Sequence, residues 1–176
     1  SEASEAGLLI GDILGGKRDG DMQGRKIAFT GAGTRAAVTD GRGQIRILDA
    51  ATGQQLQRLT GHTDYVASIA FSDDGTLLVS GSRYEEAKVK IWDVRRGQEI
   101  RTLQYKEGEF EGSQQVILSP DENRIVTGGA GDITVWNTQS GDAIHTTRGH
   151  VRVDSLAYST TGLRFASAGS FDDFII

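Results

Sequence analysis

Short runs of apolar residues alternate with turns rich in glycine and aspartate along most of this chain, and the pattern predicts β-strands. Four such runs follow one another at residues 65–71, 76–82, 88–93 and 99–104, with polar turns between them. Valine, isoleucine and leucine occupy both faces of these runs, which is typical of strands that are covered on either side. We therefore predict an all-β structure with negligible helix.

The pattern recurs with a period of 44 residues. Matching tripeptides stand at the end of the predicted third strand in successive units, namely Ile47-Leu48-Asp49, Ile91-Trp92-Asp93 and Val135-Trp136-Asn137. The glycines that follow them keep the same step, at Gly53, Gly97 and Gly141. A repeat of about 40–45 residues that holds four strands and ends in Trp-Asp is typical of a β-propeller blade. The sequence thus predicts four-stranded antiparallel blades.

The repeat places the blades at about residues 24–59, 60–103 and 104–147, with an incomplete fourth blade at 148–176. Residues 1–23 do not repeat, and we interpret them as an N-terminal segment holding an outer strand of a preceding blade and a loop. A closed ring of seven such blades would need about 308 residues. We therefore expect about three and a half blades of a longer, closed propeller. The alternative is that two chains complete one ring.

Two Gly-His pairs, Gly61-His62 and Gly149-His150, and the Trp92-Asp93 ending occur in this repeat, and with it residues 24–176 resemble the WD40 family. The resemblance implies a buried network in which a histidine, a serine or threonine, an aspartate and a tryptophan are linked. The matching positions are His62, Ser80, Glu86 and Trp92 in the second unit, Thr127 and Trp136 in the third, and His150, Ser167 and Asp172 in the fourth. Glu86 stands where the family usually has aspartate. Ala130 takes that place in the third unit, which implies that the network is lost there.

Two insertions depart from the regular repeat, and both are expected on one face of neighbouring blades. They comprise residues 83–86, before the third strand of the second unit, and residues 105–112, which lead into the next unit. Besides Glu86, their aromatic and acidic residues are Tyr84, Glu85, Tyr105, Glu107, Glu109, Phe110 and Glu111. Exposed aromatic residues among charges are common in protein-binding patches. We expect this face to contact a basic segment of a partner protein. The alternative is that the glutamates only solvate two mobile loops.

Several segments imitate chemical motifs without meeting their structural requirements. Residues 31–36 match G-x-G-x-x-A, but a dinucleotide site needs a helix next, where this pattern predicts a turn and a strand. Residues 11–17 imitate a phosphate loop, yet Arg18 stands where serine or threonine is required. Residues 19–24 open like a calcium loop whose twelfth position, Thr30, cannot supply the usual carboxylate. We expect no catalytic residue, no metal site and no cofactor.

Composition and charge leave protein binding as the favoured function. The net charge of −5 argues against nucleic acid as the main partner. No stretch approaches the roughly 20 apolar residues of a membrane helix, so no membrane association is expected. The chain has no cysteine, which suits a reducing compartment, and we expect a cytoplasmic protein. The predicted function is a non-catalytic protein-interaction scaffold. The alternative is the regulatory or sensing portion of a larger multidomain enzyme, such as a kinase, protease or signalling ATPase.

Overall fold

The computed structural model describes residues 26–82, 86, 88–104, 115–129, 131–148, 150 and 152–170, which form fourteen β-strands. The first blade contains β1 (Ile27–Phe29), β2 (Arg35–Thr39), β3 (Ile45–Asp49) and β4 (Gln55–Leu59). The second contains β5 (Val66–Phe71), β6 (Leu77–Ser82), β7 (Lys88–Asp93) and β8 (Gln98–Gln104). The third contains β9 (Gln115–Leu118), β10 (Arg124–Gly128), β11 (Asp132–Asn137) and β12 (Ala143–Arg148). The fourth contributes β13 (Arg152–Tyr158) and β14 (Phe165–Ser170).

Each of the first three blades is a four-stranded antiparallel sheet whose strands lie side by side in chain order. β13 and β14 pair as a two-stranded antiparallel sheet. The all-β architecture of four-stranded antiparallel blades that the repeat predicts is therefore confirmed. β2 begins at Arg35, so the glycine-rich segment 31–34 is a hairpin turn that leads into a strand. None of the described residues forms a helix long and apolar enough to cross a membrane.

A register shift recurs at the same place in each of the first three blades. It lies between the third and fourth strands, at Ile47/Leu48, Ile91/Trp92 and Val135/Trp136. A bulge of this kind bends the strand and increases its right-handed twist. The three blades thus share the same register shift. It lies directly before a buried residue in each of them, namely Leu48, Trp92 or Trp136.

The hydrophobic core lies between the blades, and the second and third sheets each pack against a neighbour on both faces. One cluster joins Ile45, Ile47 and Leu59 of the first blade to Leu78 and Trp92 of the second. A second cluster joins the second and third blades through Val79, Val89, Leu103, Val116, Ile125 and Trp136. A third cluster joins β10 and β11 to β13 through Val126, Ile133, Val153 and Leu156. Successive residues of a strand point to opposite faces, so Leu78 and Val79 of β6 serve different clusters.

The outermost strand of each complete sheet is β4, β8 or β12. These edge strands are mostly exposed, and each carries one large exposed apolar residue at the same place in the repeat. The three residues are Leu56, Ile100 and Ile144, with exposed fractions of 48%, 52% and 55%.

The connections alternate between the two ends of a blade, because successive strands run in opposite directions. We call the end with the turns at residues 72–76 and 94–97 the turn end of the second blade. We call the opposite end, where residues 60–65 enter β5 and β6 connects to β7, the loop end. The candidate functional site lies at the loop end.

Candidate functional site

A chain of hydrogen bonds links β6, β7 and the loop end inside the second blade. The Trp92 indole Nε1–H donates to Ser80 Oγ at 2.7 Å, and Ser80 Oγ lies 2.7 Å from His62 Nε2. Ser80 is fully buried and Trp92 is 1% exposed, so none of these groups can exchange its partner for water. The His62 and Trp92 rings also pack at a centroid distance of 5.9 Å and a tilt of 59°. The arrangement ties the segment before β5 to the centre of the blade.

Glu86 completes this chain at its outer end. Its Oε2 atom lies 2.8 Å from His62 Nδ1, and the Glu86 and His62 side chains are 2% and 0% exposed. Burial lowers the pKa of His62, although the nearby Glu86 carboxylate opposes that shift. A neutral ring with its proton on Nδ1 satisfies every contact, because Nδ1–H donates to Glu86 and Nε2 accepts from the Ser80 hydroxyl. His62 is enclosed and fully hydrogen-bonded, so it is unsuited to proton exchange with a substrate.

Gly61 lets the histidine segment approach the tryptophan closely. A Cβ atom at this position would lie 3.1 Å from Trp92 Cη2 and 3.2 Å from Glu99 Oε2. Only a residue without a side chain leaves these neighbours undisturbed. Close packing against Trp92 and Glu99 therefore favours glycine before the histidine in this blade.

A second polar cluster beside the tryptophan was missed by the sequence analysis. Lys90 is 6% exposed, and its Nζ donates to Glu99 Oε2 at 2.8 Å and to Thr102 Oγ1 at 2.9 Å. Burial favours the neutral form of Glu99, yet the bonds from Lys90 and Thr102 prevail and lower its pKa. The available signal is a lysine between Val89 and Ile91, since a charged residue in a strand buried on both faces needs a partner.

A cavity of about 580 Å³ opens at the loop end next to this network. Its described lining consists of Thr63, Asp64, Glu86 and Lys88. Glu86 belongs both to this wall and to the buried series of hydrogen bonds, because its carboxylate binds His62. The cavity therefore has a wall that is positioned from inside the blade, and its chemistry is polar and charged.

Residues at the equivalent positions of the third and fourth blades make similar hydrogen bonds. In the third blade, Trp136 Nε1 donates to Thr127 Oγ1 at 2.9 Å. In the fourth, His150 Nε2 lies 2.9 Å from Ser167 Oγ, while His150 Nδ1 is buried without a hydrogen-bond partner among the described residues. Asp172, the residue predicted to join that network, lies outside the described residues.

The predicted partner-binding residues of the two insertions also lie outside the described part of the chain. They are Tyr84, Glu85, Tyr105, Glu107, Glu109, Phe110 and Glu111. The residues that flank them are described, and these include Glu86 and Lys88 of the cavity wall. Within the described ranges, no three His, Asp or Glu side chains come together as possible metal ligands.

Comparisons with known proteins find WD40 repeats in the same part of the sequence. The family described as "WD domain, G-beta repeat" matches residues 53–93, which include Gly61, His62, Ser80 and Trp92. Human THO complex subunit 6 is 31% identical over 102 residues, covering 55% of this chain and 29% of that protein. The human U5 small nuclear ribonucleoprotein 40 kDa protein is 33% identical over 128 residues, covering 70% of this chain and 32% of that protein. An uncharacterized WD repeat-containing protein of Synechocystis is 35% identical over 79 residues, covering 45% of this chain and 22% of that protein.

The aligned part of this chain thus spans less than a third of each of these relatives. The comparisons also correct the predicted compartment: the expectation of a cytoplasmic protein is wrong, because the relatives include a THO complex subunit and a small nuclear ribonucleoprotein component. The physical reason is that a chain without cysteine suits the nucleus as well as the cytosol, since both keep thiols reduced.

Proposed function

Because the chain belongs to the WD40 repeat family, we propose that it is a non-catalytic platform that binds a partner protein at the loop end of the second blade. The observation that carries the proposal is the loop-end cavity. Glu86 in its wall is held in place by the buried series of hydrogen bonds through His62, Ser80 and Trp92. A binding surface gains affinity when its groups are ordered before the partner arrives. The network supplies such order to a polar cavity.

The printed names of the relatives favour a structural role in an assembly. One relative is a subunit of the THO complex and another is a component of the U5 small nuclear ribonucleoprotein. We infer that this chain also serves as a subunit that makes protein contacts, because the propeller scaffold itself carries no chemistry. The identity of its partner is not implied by these names.

The partner is proposed to present a basic segment to the loop end. The two insertions contribute Glu85, Glu107, Glu109 and Glu111 in sequence, and the described cavity wall contributes Asp64. Carboxylates around an interface mainly accelerate encounter with a basic partner, whereas aromatic residues supply desolvated contacts. Tyr84, Tyr105 and Phe110 are the proposed aromatic contacts.

The first test measures association of the full-length protein with its partner, identified beforehand by cross-linking and mass spectrometry. Changing Glu107, Glu109 and Glu111 together to glutamine should lower the association rate about tenfold at low salt and weaken its salt dependence. Phe110→Ala should instead raise the dissociation rate, because it removes an apolar anchor.

Asp142→Asn is the matched control, since Asp142 is an exposed carboxylate at the turn end of the third blade. It should leave both rates unchanged apart from a small general effect of charge. If the partner binds the triple glutamine variant and Phe110→Ala like the unmodified protein at low salt, the insertions only solvate two loops and the proposed binding face is wrong.

A further inference from the structure

A groove runs along the junction between the first and second blades at their turn ends. One part is a cavity of about 190 Å³ lined by Ile47, Leu56, Gln57 and Val94 together with Arg35 and Arg95. The other part is a cavity of about 230 Å³ that has the same two arginines in its wall. Its other lining residues are Thr30, Ala32, Thr34, Asp73, Asp74 and Thr76. We call the whole surface the arginine groove.

The outer part of the arginine groove has an apolar floor. Ile47 and Val94 are 1% and 3% exposed, and both belong to the core cluster between the two blades. Leu56 on the edge strand β4 is 48% exposed and forms one wall. Because Ile47 and Val94 are already almost fully buried, the apolar surface open to a ligand is mainly that of Leu56, and covering it is favourable at roughly 25 cal/mol per Å². The outer part is thus suited to one bulky apolar side chain.

The two guanidinium groups are exposed and have no carboxylate partner among the described residues. Arg35 lies across the ladder from Asp49, but the Asp49 carboxylate accepts from Thr52 N, Thr52 Oγ1 and Ala51 N at 2.8–3.1 Å. Arg96, the neighbour of Arg95, is different, since it bonds Asp93 at 2.7 Å. Two adjacent cations without internal partners are therefore available to an anion beside the apolar floor.

The arginine pair is not a consequence of the repeat. At the junction between the second and third blades, Leu77 takes the ladder position of Arg35 and Gln139 takes the turn position of Arg95. Arg101 lies there instead, and its Nη2 donates to the Gln139 carbonyl at 2.8 Å. The same architecture is thus built without paired free cations one blade further along.

We propose that the arginine groove binds an extended peptide segment of a partner protein, in which a bulky apolar residue is next to an acidic residue. The apolar side chain occupies the pocket of Ile47, Leu56 and Val94, and the neighbouring carboxylate lies between Arg35 and Arg95. Asp73 and Asp74 at the far wall repel a longer acidic run, so the segment has one acidic residue and is neutral or basic beyond it. Asp74 remains a carboxylate there, because bonds from Thr76 and Ser72 lower its pKa.

This binding site goes beyond the proposed function, since it lies at the opposite end of the blades from the loop-end cavity. It takes an acidic segment, whereas the loop end is proposed to take a basic one. The two proposals can therefore fail independently.

The test begins with selection of random phage-displayed peptides on the immobilised full-length protein. The enriched peptides should contain an apolar residue beside Asp or Glu. Their affinity, measured by fluorescence anisotropy with labelled synthetic copies, should fall about tenfold when Arg35 and Arg95 both become glutamine. Leu56→Gln should weaken the same peptides several-fold while leaving both charges in place.

Arg96→Gln is the matched control, because it removes one positive charge from the same turn outside the groove. The enriched peptides should bind this variant, and the variant with Glu107, Glu109 and Glu111 changed to glutamine, like the unmodified protein. Equal binding to the Arg35→Gln/Arg95→Gln variant, no enrichment of apolar–acidic pairs, or displacement of the peptides by a single-stranded RNA oligonucleotide but not by unlabelled peptide would overturn the proposal.

Discussion

At the scale of single residues, Ser80 Oγ is the atom through which the second blade holds its loop end. It accepts a hydrogen bond from Trp92 and donates one to His62, which in turn donates to Glu86. The hydrogen bonds run in one consistent direction from Trp92 to Glu86, and Ser80 Oγ both accepts and donates. Because Ser80 and the His62 side chain are inaccessible to solvent, loss of one member leaves its neighbours buried and unsatisfied.

Trp92 should be the most costly residue to remove from this chain. Trp92→Ala is expected to lower the free energy of unfolding by about 3–5 kcal/mol, since it leaves a cavity in the first core cluster and removes the indole donor. Trp92→Phe keeps an aromatic ring and should cost less, about 1–3 kcal/mol, mainly because the buried Ser80 Oγ loses the hydrogen bond that it accepts from the indole. Chemical denaturation measures both. A loss below about 1 kcal/mol for Trp92→Ala would mean that the indole is peripheral.

His62 should make the stability fall on acidification. Burial lowers its pKa from the usual 6.5, so the unfolded chain binds a proton at a higher pH than the folded one does. The unfolding free energy is therefore expected to decrease as the pH drops below 6.5 and through the lower folded pKa. His62→Gln should reduce this slope, and the exposed His145 offers a position for a matched control.

The measurement is urea denaturation between about pH 7 and pH 5, above the range in which ordinary carboxylates take up protons. His145→Gln is the control for the loss of one histidine. Equal slopes for His62→Gln and His145→Gln would show that burial of His62 has no energetic weight.

At the scale of elements, the hairpin turn between the first and second strands of the third blade differs from its counterparts in the other blades. Gly33, Gly75 and Gly162 occupy the left-handed position of this turn with φ between 68° and 70°, but the third blade has Glu122 there with φ of 60°. Glutamate in this conformation costs about 1–2 kcal/mol relative to a residue without Cβ. Burial, then the charge of Asp74, raises the pKa of Glu122.

Glu122→Gly should therefore stabilise the protein by about 1 kcal/mol at pH 7, because it relieves the backbone and the repulsion from Asp74. The gain should shrink at acid pH: the folded pKa of Glu122 is raised, so its unfavourable contribution appears only as the pH rises above 4.5 and through that raised pKa. Thermal and urea unfolding of Glu122→Gly and Glu122→Gln measure the two parts. Glu122→Gln keeps the strained backbone and should gain less, so a more stable Gln variant would contradict the backbone argument.

The strands could be predicted from the sequence, but the placement of the blades against one another could not. The apolar runs and the period located the strands of the second blade to within about a residue or two, because turn residues bound each run. The resemblance to the WD40 family also implied the positions of His62, Ser80 and Trp92 in one network. The arginine groove could not be found in this way, since it depends on how Arg35 of one blade faces Arg95 of the next. That geometry follows from sheet twist and inter-blade packing, which a one-dimensional pattern does not carry.

At the scale of the whole molecule, the interleaved core makes each blade depend on its neighbours. Leu78 of β6 packs toward the first blade and the adjacent Val79 toward the third, so one strand contributes to two interfaces. Stability in such an array is a sum of blade and nearest-neighbour terms. The loop end and the turn end are thus two separate surfaces on one shared scaffold, so the two proposed partners would not compete for the same site.

The exposed edge strands have a consequence for the protein in concentrated solution. β4, β8 and β12 each lie at an edge of their four-stranded sheet, and a free sheet edge is a template for another strand. Leu56, Ile100 and Ile144 add exposed apolar surface to these edge strands, while Arg58 and Arg101 add positive charge. Salt screens the repulsion between those charges, so a higher salt concentration should favour edge-to-edge self-association of the protein.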